Sequence, residues 1–413
     1  MLRLAHPARK SGDRGCHTIS FVARAAILYC RQSPATGNFK RNNADPAHVV
    51  GGFRAFWRVS PGVDNIQGWL KQQPFMNDAE SHESHAGSPL VSVIIPAYKA
   101  AGHIASAIDS VLAQTFPDHE IIVINDGSPD TPQLLEVLRP YRSRIRYLEQ
   151  TNQGPSGARN TGIRAALGTY VAFLDSDDCW SPAYLDEQIR LLEGPPPCDL
   201  VYSNAQRVGP LAGRWPTCMD ASPSNGPVNF ESLIREQCTV LTSFAVARRQ
   251  SVLDAGLFDP AFRRSEDFDL WLRMAHRGAK MNYQRTVLGT HALSEEGLSG
   301  DRDALREGQL SVYRKTLATM DLSAEQSALI RAQVERCQAL IRLDEGKHLL
   351  VSRRYHEAAT AFSEANVFYK RISLRATQLL LGIMPAIVRW LYLISLRSKT
   401  GLRHLRSRAS ENG

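Results

Sequence analysis

Three acids and a serine, Asp175-Ser176-Asp177-Asp178, follow directly on the apolar run Tyr170 to Leu174. Carboxylates this crowded repel one another unless solvent or a cation intervenes, and a divalent metal would relieve the repulsion. Mg²⁺ or Mn²⁺ held by one or two carboxylates keeps several waters and takes its other ligands from phosphate oxygens, which suits a diphosphate leaving group. Read alone, the same cluster serves equally as a helix cap or a solvated loop. A second candidate is Asp126 in Asn125-Asp126-Gly127-Ser128, also at the end of an apolar run. Its carboxylate could accept hydrogen bonds from a ribose or base while Gly127 permits a tight exit turn, although Asx-Gly is a common turn in its own right. His82-Glu83-Ser84-His85 could hold a metal, but its spacing is not H-E-x-x-H.

The elements that must position these acids are legible as alternating patterns. Leu90 to Ile95 and Glu120 to Asn125 read as buried parallel strands, with Ile145 to Glu149 and Tyr170 to Leu174 as further strands. Between them lie helical stretches, from about Ala101 to Gln114 with Ile104, Ala107, Ile108, Val111 and Leu112 on one face, at Gln133 to Leu138, and from about Gly157 to Ala166. This β-α-β-α-β order predicts an α/β fold with a doubly wound, mainly parallel sheet. Ligands in such sheets sit at the carboxyl ends of the strands, where both acidic motifs fall.

Four blocks in one register resemble the family 2 glycosyltransferases: Val91 to Tyr98, Val123 to Ser128, Gly157-Ala158-Arg159-Asn160, and Phe173 to Asp178. The resemblance implies the GT-A fold, a nucleotide-diphosphate sugar donor, and inversion at the anomeric carbon. Carried over by motif, Pro96, Ala97 and Tyr98 would lie at the nucleoside, Asp126 would contact base or ribose, and Arg159 would help hold the nucleotide, with a helix-surface salt bridge as its alternative. Asp175 and Asp177 match the D-x-D acids, Asp177 as the direct ligand of Mg²⁺ or Mn²⁺ and Asp175 in the metal set but nearer the ribose. Ser265-Glu266-Asp267-Phe268-Asp269 resembles the family's acidic pair, which makes Asp267 the expected general base with Glu266 beside it, where helix capping by Ser265 is the alternative. His291, after Val287 to Thr290 and followed by Ser299, would bind metal or diphosphate. Many relatives carry Asn and an acid soon after the tyrosine; here Lys99-Ala100-Ala101-Gly102 stands instead, so nucleoside contacts differ at that point.

Composition bounds the rest. With 413 residues, 43% hydrophobic and 22% charged, the chain exceeds a single core, and neither wholesale disorder nor a polytopic membrane protein fits. The net charge of +8 belongs to the ends: residues 1–50 carry eight Lys/Arg against two acids and residues 370–413 carry nine against one, which leaves the middle acidic. A nucleic-acid-binding core is therefore not implied, and polybasic ends more often meet anionic lipid, or nothing at all. Seven Cys (16, 30, 179, 198, 218, 238, 337) form no C-x-x-C pair, which favours a reducing compartment.

Residues 1–89 read as a disordered leader, 90–299 as the catalytic domain, 300–370 as a helical region, and 371–413 as a basic, apolar helix. Leu343, Gly346, Leu349 and Tyr355, then Ala358, Ala359, Phe362 and Ala365, resemble one tetratricopeptide helix pair, with an ordinary helical hairpin packed on the catalytic domain or a partner as the alternative. Ala376 to Leu396 has the length of a membrane span but holds Pro385 and Arg389, which disfavours a simple crossing and suits a helix lying on the cytoplasmic leaflet, or one packed on protein. The expected protein is a cytoplasmic enzyme, peripheral at the inner face of the membrane, acting on a saccharide or lipid-linked saccharide in envelope polysaccharide synthesis. The alternative is a catalytically silent relative serving as an interaction scaffold. A nucleotidyltransferase fits less well, because no Gly-rich phosphate loop follows the first strand.

Overall fold

A computed structural model describes residues 88–294 and 302–396; the bulk of the leader, with His82 and His85, and Ser299 lie outside them. In chain order the elements are β1 (Val91–Ala97), α1 (Ile104–Leu112), β2 (His119–Asp126), α2 (Thr131–Leu138), β3 (Arg146–Gln150), α3 (Gly154–Ala165), β4 (Tyr170–Phe173), β5 (Cys179–Trp180), α4 (Tyr184–Glu193), β6 (Leu200–Val208), α5 (Cys218–Ala221), α6 (Phe230–Ile234), β7 (Ala245–Arg248), α7 (Arg249–Asp254), α8 (Glu266–His276) and β8 (Met281–Ala292). Then come α9 (Arg302–Thr319), α10 (Ala324–Val351), α11 (Tyr355–Tyr369), α12 (Ile372–Ile383) and a last helix, α13, over 385–396.

The eight strands form one sheet in the order β3-β2-β1-β4-β7-β6-β8-β5. β3, β2, β1 and β4 are parallel, as the apolar runs predict. β7 runs antiparallel between β4 and β6, and β5 antiparallel to β8, so the sheet is mixed on its second half. The chain steps outward from β1 to β3 with α1 and α2 on one face, then returns past β1 to β4 with α3 on the other. Ile104, Ile108 and Leu134 accordingly share a core with Val93 and Ile95, while Ala158 and Ile163 share one with Ile94 and Ile124. Right-handed crossovers taken in opposite directions require this change of face. Ile94 and Ile95 are wholly buried on opposite sides, each worth about 1.5–3 kcal/mol in burial.

Reversal of direction between β1 and β4 opens a crevice at their carboxyl ends. The register Ala97↔Asn125 carries Asp126 just past the end of β1, and Ile94↔Phe173 sends residues 174–178 alongside 95–98. The long stretch from Pro195 to Glu231, which shows no readable pattern in the sequence, contains β6. That strand is buried from Leu200 to Ala205, and its first six residues include Tyr202, Ser203 and Asn204, which mask the apolar run.

The hydrophobic core does not close at 299. Leu310, Val312 and Tyr313 of α9 and Ile330 and Cys337 of α10 belong to the same cluster as Phe258, Leu270 and Trp271. A separate small core joins the second half of α10 to α11 and α12 through Leu343, Leu350, Phe362, Ala365, Leu374 and Leu381. Gly346 lets α11 approach: a Cβ there would stand 2.6 Å from the Phe362 ring. The apolar segment Ala376 to Leu396 is broken at Met384, one residue before Pro385, into α12 and α13, because proline disfavours helix in the residue before it and has no N–H to give. Among the described residues no helix is long and apolar enough to cross a membrane.

Candidate active site

Asp126 ends β2 and is buried; its Oδ1 accepts hydrogen bonds from Gln150 Nε2 (2.7 Å) and the Gln153 amide (2.8 Å). The turn behind it needs Gly127, whose φ is +60°. Pro96 and Ala97 close β1, with Tyr98 exposed beyond them. The departure at Lys99 to Gly102 has its own support: the Lys99 amide donates to Ser128 Oγ at 2.6 Å and the Ala101 amide to Asp130 Oδ2 at 3.0 Å.

Asp175 is half-buried and Asp177 exposed on the loop after β4, whereas Asp178 is buried. Desolvation, and then the like charges of Asp178 and Asp175, push the Asp177 carboxyl up to about 6. A cation at that oxygen would remove the penalty. Asp175 is the opposite case: burial resists its ionisation, but the Arg159 charge and hydrogen bond, with Ser243, outweigh it and hold the carboxyl below the usual range. Asp178 faces His291, with both its oxygens 3.1 Å from Nδ1. Burial alone would lower the His291 pKa, yet Asp178, Asp175 and Asp177 together raise it. His291 reaches the loop because β5, immediately after Asp178, pairs with β8 at Cys179↔Thr290. A carboxylate fixing one ring nitrogen is the usual support for a metal-binding imidazole. Among the described residues no three His, Cys, Asp or Glu side chains form a ready-made cage; a cation beside Asp177 would rest on few protein donors and draw the rest of its shell from phosphate and water.

Arg159 stands at the centre. It is buried on α3 and donates from Nη1 to Glu266 Oε1 (2.8 Å) and from Nη2 to Asp175 Oδ1 (2.7 Å), with its guanidinium 5.5 Å from the Phe258 ring centroid. The salt bridge that stood as the alternative for Arg159 is present but interior, not on the helix surface, and it ties the D-x-D loop to Glu266, 107 residues away. Glu266 is pushed upward by burial, opposed by Arg159 and reinforced by Asp267. Asn160, next in the motif, exchanges hydrogen bonds with the Phe258 backbone at 2.8 and 2.9 Å, holding the segment that leads into α8.

Asp267, the second residue of α8, accepts from Thr242 Oγ1 at 2.8 Å and from the Phe268 amide at 2.7 Å. Ser243, beside Thr242, accepts from the Asp175 amide at 3.0 Å. The Thr242-Ser243 pair therefore forms a second link between the two acidic motifs. Sequence reasoning missed it, as no local pattern marks it, and it also passed over the orienting role of Asp178. Capping by Ser265 is not what the structure contains: Ser265 has φ +60° and makes no side-chain cap bond.

Residues 92–254 match the family model described as Glycosyl transferase family 2. Over that segment the chain is similar to the family 2 glycosyltransferases. The match covers nearly all of β1 and the whole of β2 to β7, with Asp126, Arg159 and the D-x-D loop, but ends before Glu266, Asp267, β8 and His291. Among curated relatives, an "Uncharacterized glycosyltransferase RP339" of Rickettsia prowazekii is 33% identical over 194 residues, 45% of this chain and 58% of the relative. "Uncharacterized glycosyltransferase EpsJ" of Bacillus subtilis is 50% identical over 96 residues, 23% of this chain and 28% of the relative. The chain thus spans only about a quarter to three-fifths of these relatives. The crystal structure of S. aureus TarS 1-349 in complex with UDP-GlcNAc superposes with a TM-score of 0.51 at 17% identity, over 76% of this chain and 91% of that one, and the UDP complex does so with 0.50 at 18% over the same shares. At that identity the likeness establishes the fold, GT-A with a helical extension.

Proposed function

We propose that the chain is an inverting glycosyltransferase that moves a sugar from a nucleotide-diphosphate donor to an acceptor hydroxyl. The observation that carries this reading is the convergence of Asp126, the Asp175–Asp178 loop and the Glu266-Asp267 pair at one edge of the sheet, joined through Arg159 and Thr242-Ser243. Asp126 and Pro96 to Tyr98 bind the nucleoside. Asp177, Asp175 and His291 are the residues that would hold Mg²⁺ or Mn²⁺, which when bound would supply neutralising charge at a departing diphosphate. Asp267 is the base: its side chain is held at one oxygen by Thr242, stands at a helix N-terminus, and removes the acceptor hydroxyl proton as the new bond forms in a single displacement, inverting the anomeric centre. Arg159 is not a nucleotide contact in this scheme; its Nη1 and Nη2 hold the two acidic motifs in register.

The test is transfer or hydrolysis of a panel of nucleotide sugars with Mn²⁺, uridine sugars first because the TarS structures carry UDP and UDP-GlcNAc. Asp267→Asn should cut turnover about 10²–10⁴-fold, the usual worth of a positioned base, with donor affinity kept. Full activity in that variant would refute the role of Asp267, and release of pyrophosphate, or no reaction with any donor, would favour a nucleotidyltransferase or a silent scaffold.

The C-terminal helices suit a membrane surface. Leu379, Ile383, Ile387, Trp390 and Ile394 recur at helical spacing along α12 and α13, each at least 43% exposed, while Leu374 and Leu381 pack on α11. An apolar face left to solvent beside Arg371 and Arg375, with Arg397, Lys399, Arg403, Arg406 and Arg408 following in the sequence, suits an anionic leaflet. A lipid-linked saccharide acceptor in envelope polysaccharide assembly, and a peripheral place on the cytoplasmic side, follow from that docking. The α10–α11 pair serves as a tetratricopeptide-like brace between this face and the catalytic domain.

A further inference from the structure

The acidic pair is gripped from its far side by α9, a helix that follows the catalytic domain in the chain. A Cβ on Gly308 would stand 2.8 Å from the Arg264 carbonyl oxygen and 3.0 Å from Ser265 Oγ, so the α9 backbone crosses directly on the two residues before Glu266. Glycine inside a helix carries a cost of about 1 kcal/mol against alanine, which makes this close approach the physical reason for its presence. Ser265 sits there in the left-handed region with φ +60°, a conformation that a non-glycine residue keeps only when its surroundings impose it, and its Oγ faces the Leu305 carbonyl at 3.4 Å. One turn on, Phe268 meets Tyr313 edge-on at 5.5 Å between centroids. Lys315 Nζ binds Asp269 Oδ1 at 2.7 Å and Asp259 at 2.8 Å, and Asp269 is wholly buried. Residues 264, 265, 268 and 269 are thus fixed by α9, whereas the intervening Glu266 and Asp267 face Arg159 and Thr242.

We propose that α9 is part of the catalytic apparatus, with Gly308 as the positioning residue that sets where the Asp267 carboxylate stands. This rests on the reading of Asp267 as the base. In the full chain, Gly308→Ala should lower kcat at least tenfold and leave the donor KM within about twofold, since the nucleoside side of the cleft is untouched. In the Asp267→Asn background the same substitution should change nothing further, because residues that act as one unit are not additive. Ser265→Gly, which tolerates the left-handed backbone but removes the hydroxyl and frees the turn, should lower kcat several-fold without lowering soluble yield.

An additive loss in the double variant, or a fall explained by melting temperature alone, would make Gly308 a packing residue only and overturn the proposal. Wild-type kcat in either single variant, with Asp267→Asn inactive, would do the same. If Asp267→Asn itself retains full activity, it is the assignment of the base that fails, not the grip of α9.

Discussion

Replacing Arg159 by methionine removes the hub of the site while keeping most of its volume. The Arg159 and Glu266 side chains are 6% and 8% exposed, and Asp175 is 34% exposed. Breaking a buried pair by deleting one partner costs about 3–5 kcal/mol, and the more solvated Asp175 adds at most about 1 kcal/mol after screening. For a domain of this size that lowers Tm by on the order of 10 °C. The sign of the pH dependence follows from the two acids. Glu266 is already raised, by burial first, and loses the charge opposing that rise, so the variant's folded state holds a proton there that the unfolded state gives up; stability from that proton is present at low pH and lost as pH rises through the folded pKa. Asp175 is held low against burial by Arg159, so the wild type has an advantage there above the unfolded pKa that it loses in acid. Both effects shrink the variant's deficit at low pH, but the Asp175 part does so only below its unfolded pKa of 3.8, so the difference between pH 5 and pH 8 reports Glu266. Thermal or urea unfolding of wild type and Arg159→Met at about pH 5 and pH 8 tests this, the deficit being larger at the higher pH. Arg159→Lys should recover only part, because an ammonium lacks the planar fork that spans two carboxylates. A Tm fall below about 2 °C at neutral pH, or equal deficits at both, would refute the reasoning.

Asp177→Ala should weaken Mn²⁺-dependent donor binding with the fold intact, measured by calorimetry with and without chelator; unchanged metal dependence would remove Asp177 from the donor set. Gly346→Ala forces a methyl against the Phe362 ring and should destabilise the α10–α11 hairpin by about 1–3 kcal/mol, seen as faster proteolysis within α11 while turnover in solution persists. Trp390→Asp with Ile387→Asp should reduce sedimentation with vesicles rich in anionic phospholipid at least tenfold; a shift in oligomeric state with unchanged vesicle binding would assign the face to a second copy of the chain instead.

Local pattern carried the first half of the sheet. β1 and β2 are buried on both faces and so had to be written as unbroken apolar runs, and the acids that follow them fall at strand ends by the same token. The register of β1 with β2 and β4 then brings Asp126 and Asp175 to one edge, as the alternation predicts. The second half was less legible because β6 interrupts its apolar run with Tyr202 to Asn204, polar groups paired inside the fold, as Tyr202 is with Ser224 and Asn204 with the Met219 amide.

What the sequence by itself determined is therefore the parallel first half of the sheet and the strand ends at which the acids stand: burial on two faces and crowding of like charge leave marks on neighbouring residues. Only the tertiary structure decided how those acids are held. Arg159 lies 107 residues from Glu266, and Thr242 lies 25 from Asp267. The grip of α9 on residues 264 to 269 comes from beyond the domain the motifs outline. Contacts between such distant positions impose no period on the chain, so nothing short of the folded arrangement could have revealed them.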